Sequence, residues 1–166
     1  MAITISVTIV DHTSSPNMLA QITPFFEDIL SDLIWEAGEV SVVNVRRVTA
    51  TPVASDQDLV LHFVRDVSQS YINQKMHGRP INPRAGGHTR SRGNISGSEF
   101  YKVPRLASPQ EYAKMAAHEA MHNITRSDDT IHRQGGIADS TPQLPVNSTN
   151  RQSFQAGLNS IPDQLL

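Results

Sequence analysis

Apolar and polar residues alternate at the start of the chain. Ile3, Ile5, Val7 and Ile9 are separated by Thr4, Ser6 and Thr8. A period of two sends alternate side chains to opposite faces, so the segment is expected to be a half-buried strand. Asp11 to Asn17 has the composition of a turn. Met18, Leu19, Ile22, Phe25, Phe26, Ile29, Leu30, Leu33 and Ile34 then recur at the spacing of one helix face. Pro24 lies inside that run. Proline lacks an N–H and suits the first position of a helix, so a break with Thr23 as N-cap is expected there. Gly38 is a natural helix stop. Val40, Val42, Val43 and Val45 predict a second strand reaching towards Val48, and 49–58 a polar loop. The uninterrupted apolar run Leu59 to Val64 predicts a buried central strand. Strand, helix, strand, strand implies a crossover connection and a mixed sheet.

The second half is patterned differently. Residues 78–98 carry five Gly, two Pro and four Arg without clear periodicity and are expected to form a long surface loop. Ile95 to Val103 is expected to be an edge strand, with Gly97 weakening it. Ser108-Pro109-Gln110-Glu111 has the signature of a capping box with proline at the first helical position. The Ala- and Met-rich helix it opens is expected to reach about Asn123. Residues 127–136 read as loop, and a short last helix is expected over 150–161, with Phe154, Leu158 and Ile161 on one face. No internal repeat is present.

The chain has 166 residues, which suits one domain, 1–166, with a core of its own. A formal net charge of −2 gives no general affinity for nucleic acid, and no nucleic-acid partner is expected. The absence of cysteine removes disulfides, thiolate ligands and thiol nucleophiles. No apolar run approaches the ~20 residues of a membrane span, and no membrane association is expected. The amino terminus lacks the basic segment of a secretory signal. The expected location is therefore cytoplasmic, or outside the cell by a leaderless route as an effector or toxin.

The chemistry is concentrated in His118-Glu119-Ala120-Met121-His122, inside the best-supported helix. Residues four apart share a helix face, so two imidazoles can grip one cation. Neutral imidazole suits Zn²⁺, leaving room for a third ligand and a water. Glu119 follows the first ligand directly, where its carboxylate can reach that water as general base. With 7 His and 6 Glu in the chain, the pattern arises by chance with a probability of about 0.01. No Glu follows Glu119, which leaves Asp128, Asp129, His132, Asp139 and Asp163 as downstream candidates for the third ligand. Asp128 lies six residues past His122. His132 lies ten past and is the better zinc ligand chemically. If the chain leaves the helix late, Asp128 swings away and His132 reaches the metal instead.

His118-Glu119-x-x-His122-x-x-Thr125-x-x-Asp128 resembles the zinc signature of the metzincin metalloproteases. In that family a Gly follows the second His by three and a His or Asp by six. Gly135-Gly136-Ile137-Ala138-Asp139 resembles the turn that sets a Met beneath the zinc, and the order of elements upstream is similar too. The resemblance implies an α+β, zincin-like fold. Its sheet would be mixed, mainly parallel and twisted, with about four to five strands and an antiparallel edge strand. A backing helix, an active-site helix and a short C-terminal helix would accompany it. It further implies a zinc endopeptidase acting on proteins or peptides, with His118, His122 and Asp128 as ligands, His132 as the alternative third ligand, and Glu119 as the catalytic base. Thr125 replaces the family's Gly and Ala138 its Met. These differences keep alive a second reading, a non-catalytic metal- or partner-binding domain of the same fold.

Other residues have plainer expectations. His62, in a central strand, is expected to be a hydrogen-bonded core histidine, and His12, His77 and His88 to be solvated loop residues. Trp35 is expected in the core. Tyr101 is expected to pack, unless its strand lines a cleft. Arg79, Arg84, Arg90, Arg92, Lys102 and Arg105 face one acidic residue, Glu99, between 79 and 105. They are expected to form a solvated loop, or a basic rim that takes an acidic substrate or partner.

Overall fold

The computed structural model describes residues 2–36, 40–52, 57–76, 78 and 80–166. It is an α+β fold built on a mainly parallel sheet. Strand β1 (Ala2–Asp11) leads into helix α1 (Pro16–Ile34) and β2 (Val40–Val48), followed by β3 (Leu59–Val64) and a short helix α2 (Tyr71–Lys75). Strands β4 (Gly87–Arg92) and β5 (Ile95–Tyr101) precede α3 (Pro109–Thr125), then α4 (Ser148–Leu158) and a two-residue strand β6 (Asp163–Gln164). The strand order is β2-β1-β3-β5-β4. All pairs on this path are parallel except β4 with β5, and β6 adds a parallel pairing at Ile95 and Ser96. Among the described residues the sheet thus has six strands, one more than the upper expectation, with its antiparallel strand at one edge.

The sheet separates two faces. Ser98 of β5 donates to the Glu119 carbonyl on α3, while neighbouring Glu99 accepts from Tyr71 N of α2. Adjacent strand residues point to opposite faces, so α3 and α2 lie on opposite sides of β5. The main core lies between the sheet and α1, α3 and α4. Ile5, Ile9, Leu61, Phe63 and Phe100 meet Ile22, Phe26 and Leu30 of α1 there. From α3 come Ala113, Ala116, Ala117 and Ala120, small residues that let its backbone approach closely.

Pro24 does not break α1. The helix runs through it, and the Thr23 hydroxyl donates to the Leu19 carbonyl at 2.6 Å. An internal proline costs ~3 kcal/mol. The seven buried apolar residues of α1 are each worth roughly 1.5–3 kcal/mol, so burial holds the helix together across the defect. The helix ends at Ile34, capped by Trp35, which is 50% exposed rather than in the core. Gly38, the expected stop, lies outside the described residues.

The expected loop over 78–98 is in part a hairpin. Strand β4 pairs with β5 across the two-residue connection Gly93-Asn94, with Arg92 opposite Ile95. Gly93 has φ +60° and Asn94 does not have positive φ, as in a type II′ turn. The edge position therefore belongs to β4, and β5 lies inside the sheet with six of its seven residues buried. Gly97 serves this placement, because a Cβ there would meet the Leu165 side chain at 2.7 Å.

Candidate metal centre

Helix α3 starts as its sequence suggests. Ser108 accepts from Glu111 N at 3.3 Å, with Pro109 as first helical residue. The reciprocal half of the expected capping box is replaced by an ion pair, since the Glu111 carboxylate lies 2.7 Å from Lys114 Nζ. The helix extends two residues beyond Asn123. Thr125 stays helical, and the left-handed position falls on Arg126, at φ 50° and ψ 37°. The Arg126 guanidinium holds this exit by donating to Asn94 Oδ1 and the Ser160 carbonyl, both at 3.0 Å.

The late exit decides which residues meet. His118, His122 and His132 each offer a ring nitrogen, and the three nitrogens lie within 4.8 Å of one another. His122 Nε2 is 3.2 Å from His118 Nε2 and 3.2 Å from His132 Nε2. Asp128 is not in this group. It is exposed, and its carboxylate accepts from Thr130 N at 2.9 Å, capping the 3-10 turn Asp129–Gln134 that carries His132. That hydrogen bond holds the Asp128 carboxyl below its ordinary range. The preferred third ligand of the sequence analysis thus positions the turn, and the alternative joins the histidine pair.

The tautomers are set by backbone acceptors. His118 Nδ1 lies 2.9 Å from the Ile137 carbonyl, and His122 Nδ1 lies 2.9 Å from the Ser127 carbonyl. A carbonyl only accepts, so in the neutral rings both Nδ1 atoms carry the proton and both Nε2 lone pairs face the cluster. No proton then lies between these two nitrogens, and their lone pairs repel unless a cation separates them. Nitrogens about 2.0–2.1 Å from a shared tetrahedral ion stand roughly 3.3 Å apart, close to the observed spacing. Burial pushes His118 down to about 4, reinforced by nearby His122 and opposed by the Ile137 carbonyl. Burial lowers His122 as well. Both are therefore neutral at pH 7, the form that binds metal.

The Ile137 carbonyl is delivered by the turn Gly135-Gly136-Ile137-Ala138. Gly135 (φ 69°, ψ −161°) and Gly136 (φ 57°) occupy backbone regions that disfavour side chains. Asn150 of α4, fully buried, fastens the turn. Its oxygen accepts from Ile137 N, and its amide donates to the Gly135 carbonyl and Gln134 Oε1. Asn150 was missed in the sequence, although Asn147 and Asn150 form a reciprocal cap whose spacing is legible there.

Glu119 is buried beside the histidines. Thr89 of the edge strand donates to its Oε1 at 3.1 Å. Gly87 makes room for it, since a Cβ there would lie 2.6 Å from Oε2. Burial pushes the metal-free Glu119 carboxyl up to about 8, against the opposing Thr89 hydrogen bond. A cation in the cluster would draw it down again. The histidines and Glu119 line one cavity of about 690 Å³ against β4.

The other candidates separate clearly. Arg84 and Arg105 line the same cavity, whereas Lys102 lies at another cavity with His12 and Tyr71. Arg90 and Arg92 are on β4, and Arg79 and His77 lie outside the described residues. His62 is a buried core residue bonded to His12 and to the Leu165 carbonyl, as expected. His12 is accordingly tied to it rather than simply solvated. His88 belongs to β4 and not to a loop, and its buried Nε2 has no partner among the described residues. Tyr101 is fully buried. No helix among the described residues is long and apolar enough to cross a membrane.

Comparison with protein-family models, with curated proteins and with solved structures returned no match to this chain.

Proposed function

We propose that the protein is a zinc-dependent peptidase whose metal is held by His118, His122 and His132. The observation that carries this reading is the convergence of three imidazole nitrogens, two with their lone pairs fixed towards the centre, beside a buried carboxylate. Three imidazole ligands leave a fourth position open, the arrangement of catalytic rather than structural zinc. Zinc bound there would act as a Lewis acid and bring the pKa of a water towards neutrality.

The chain's own groups divide the remaining work. Glu119 takes a proton from the attacking water and returns it to the departing amine. Thr89 orients the carboxylate through its hydrogen bond to Oε1, and Gly87 leaves the other oxygen uncrowded. The Ile137 and Ser127 carbonyls keep the imidazoles in the ligating tautomer.

Glu119→Gln is the test. The variant should fold and bind about one equivalent of zinc, while peptide hydrolysis falls by 10²–10⁴-fold. Zinc-loaded wild type that cleaves no peptide in a mixed library, or a variant that cleaves as fast as wild type, would refute the reading. The first result would favour the non-catalytic metal-binding domain.

A further inference from the structure

The cavity beside the histidines is electrically lopsided. On α3, Met115 precedes His118 by three residues; Ser127, just past the helix end, follows His122 by five, and all four line the cavity. At the Met115 end stand Arg84 and Arg105. Arg105 Nη2 donates to the Arg84 carbonyl at 2.7 Å and would lie 3.1 Å from a Cβ at Gly86, a position also closed by Met115. Neither guanidinium has a carboxylate partner among the described residues. At the other end stand Asp128 and Asp129, one capping the turn and the other 3.7 Å from His132. The cationic pair and the acidic pair therefore flank the centre on opposite sides.

We infer that the cationic end is a specificity subsite for a carboxylate of the bound peptide, close to the bond that is cut. The inference rests on the peptidase reading and adds the class of substrate. The placement follows from β4 and the residues leading into it. Glu119 abuts Gly87, and the Arg105 guanidinium abuts Gly86, the next residue. At ~3.3 Å per extended residue, the charge lies within one or two residues of the reacting carbonyl. Arginine forks suit carboxylates through paired hydrogen bonds. The Arg105 hydrogen bond to the Arg84 backbone fixes one guanidinium and leaves its other N–H groups to a ligand. Both side chains are exposed, so the selectivity is modest and is screened by salt. The carboxylate can come from an Asp or Glu side chain or from the free carboxy terminus of a short peptide.

Binding to zinc-loaded Glu119→Gln separates selectivity from turnover. The probes are three fluorescent octapeptides of otherwise neutral sequence. One has a central Glu and an amidated end, one has Gln in its place and an amidated end, and one has Gln and a free carboxy terminus. At low salt, at least one carboxylate peptide should bind about tenfold more tightly than the amidated Gln peptide. Which of the two does so identifies the source of the charge. The advantage should vanish in Arg84→Ala/Arg105→Ala, persist in part in Arg84→Lys/Arg105→Lys, and shrink as salt rises. Equal binding of all three peptides, or an advantage that survives the double alanine change, would overturn the inference. Loss of hydrolysis by zinc-loaded wild type with the binding preference intact would instead overturn the peptidase reading alone.

Discussion

Replacing Asn150 with alanine should damage both the fold and the histidine cluster, by amounts that the hydrogen bonds set. The side chain is fully buried and makes four hydrogen bonds. It accepts from Ile137 N at 3.2 Å and Asn147 N at 3.1 Å, and donates to Gln134 Oε1 and the Gly135 carbonyl at 3.2 Å each. Each bond contributes about 1 kcal/mol net, and a stranded buried N–H such as that of Ile137 costs ~1–3 kcal/mol. Water entering the vacated space can recover part of this, so a loss of about 2–4 kcal/mol in unfolding free energy is expected. Urea unfolding of metal-free wild type and Asn150→Ala measures it. The same change loosens the turn that presents the Ile137 carbonyl to His118, and an outer partner of a ligand typically controls 10–100-fold in affinity. Zinc competition titration of the two proteins should show a loss in that range. A stability change below ~1 kcal/mol would refute the tethering role of Asn150. Unchanged zinc affinity would refute the link from the turn to the imidazole.

Gly87→Ala places a methyl 2.6 Å from Glu119 Oε2, so the carboxylate must move. Peptide hydrolysis should fall by at least tenfold while zinc stoichiometry stays at one, and equal hydrolysis by variant and wild type would contradict the crowding. Gly135→Ala forces a side chain into a glycine-only backbone region and should cost ~1–3 kcal/mol in urea unfolding. Burial lowers His62 from 6.5 to about 4, so the unfolded chain binds a proton there that the folded chain refuses. That stability is complete above about pH 6.5 and is lost as pH falls towards 4, by up to about 3 kcal/mol. Comparing wild type with His62→Gln at pH 7 and pH 4.5 should show a shallower acid loss in the variant. Equal slopes would show that His62 does not carry the effect.

Much of the fold is written in local pattern. The alternation in β1, the apolar run of β3 and the cap at Ser108 each answer to a short-range rule, and each element forms where its residues suggest. The failures are tertiary. Pro24 predicts a break, but the core on both sides of it outweighs the missing hydrogen bond. Strand β4 hides in a run of Gly and Arg because its first residue, Gly87, must leave room for Glu119. Only the Gly93-Asn94 pair signals its hairpin. The histidine pair and Glu119 are legible because helix periodicity alone brings them together. The third histidine is legible only as an alternative to Asp128, since its approach depends on whether the chain turns at Thr125 or at Arg126. The sequence spacing favours Asp128, and one further residue of helix favours His132.

Zinc affinity of His132→Ala set beside that of Asp128→Ala tests the centre most directly. Three converging imidazoles predict that His132→Ala loses zinc by orders of magnitude. Asp128→Ala removes only the cap on the turn, worth about 0.5–2 kcal/mol, and should weaken binding by no more than about 30-fold. Near-total loss in Asp128→Ala with a modest effect in His132→Ala would contradict the three-histidine centre.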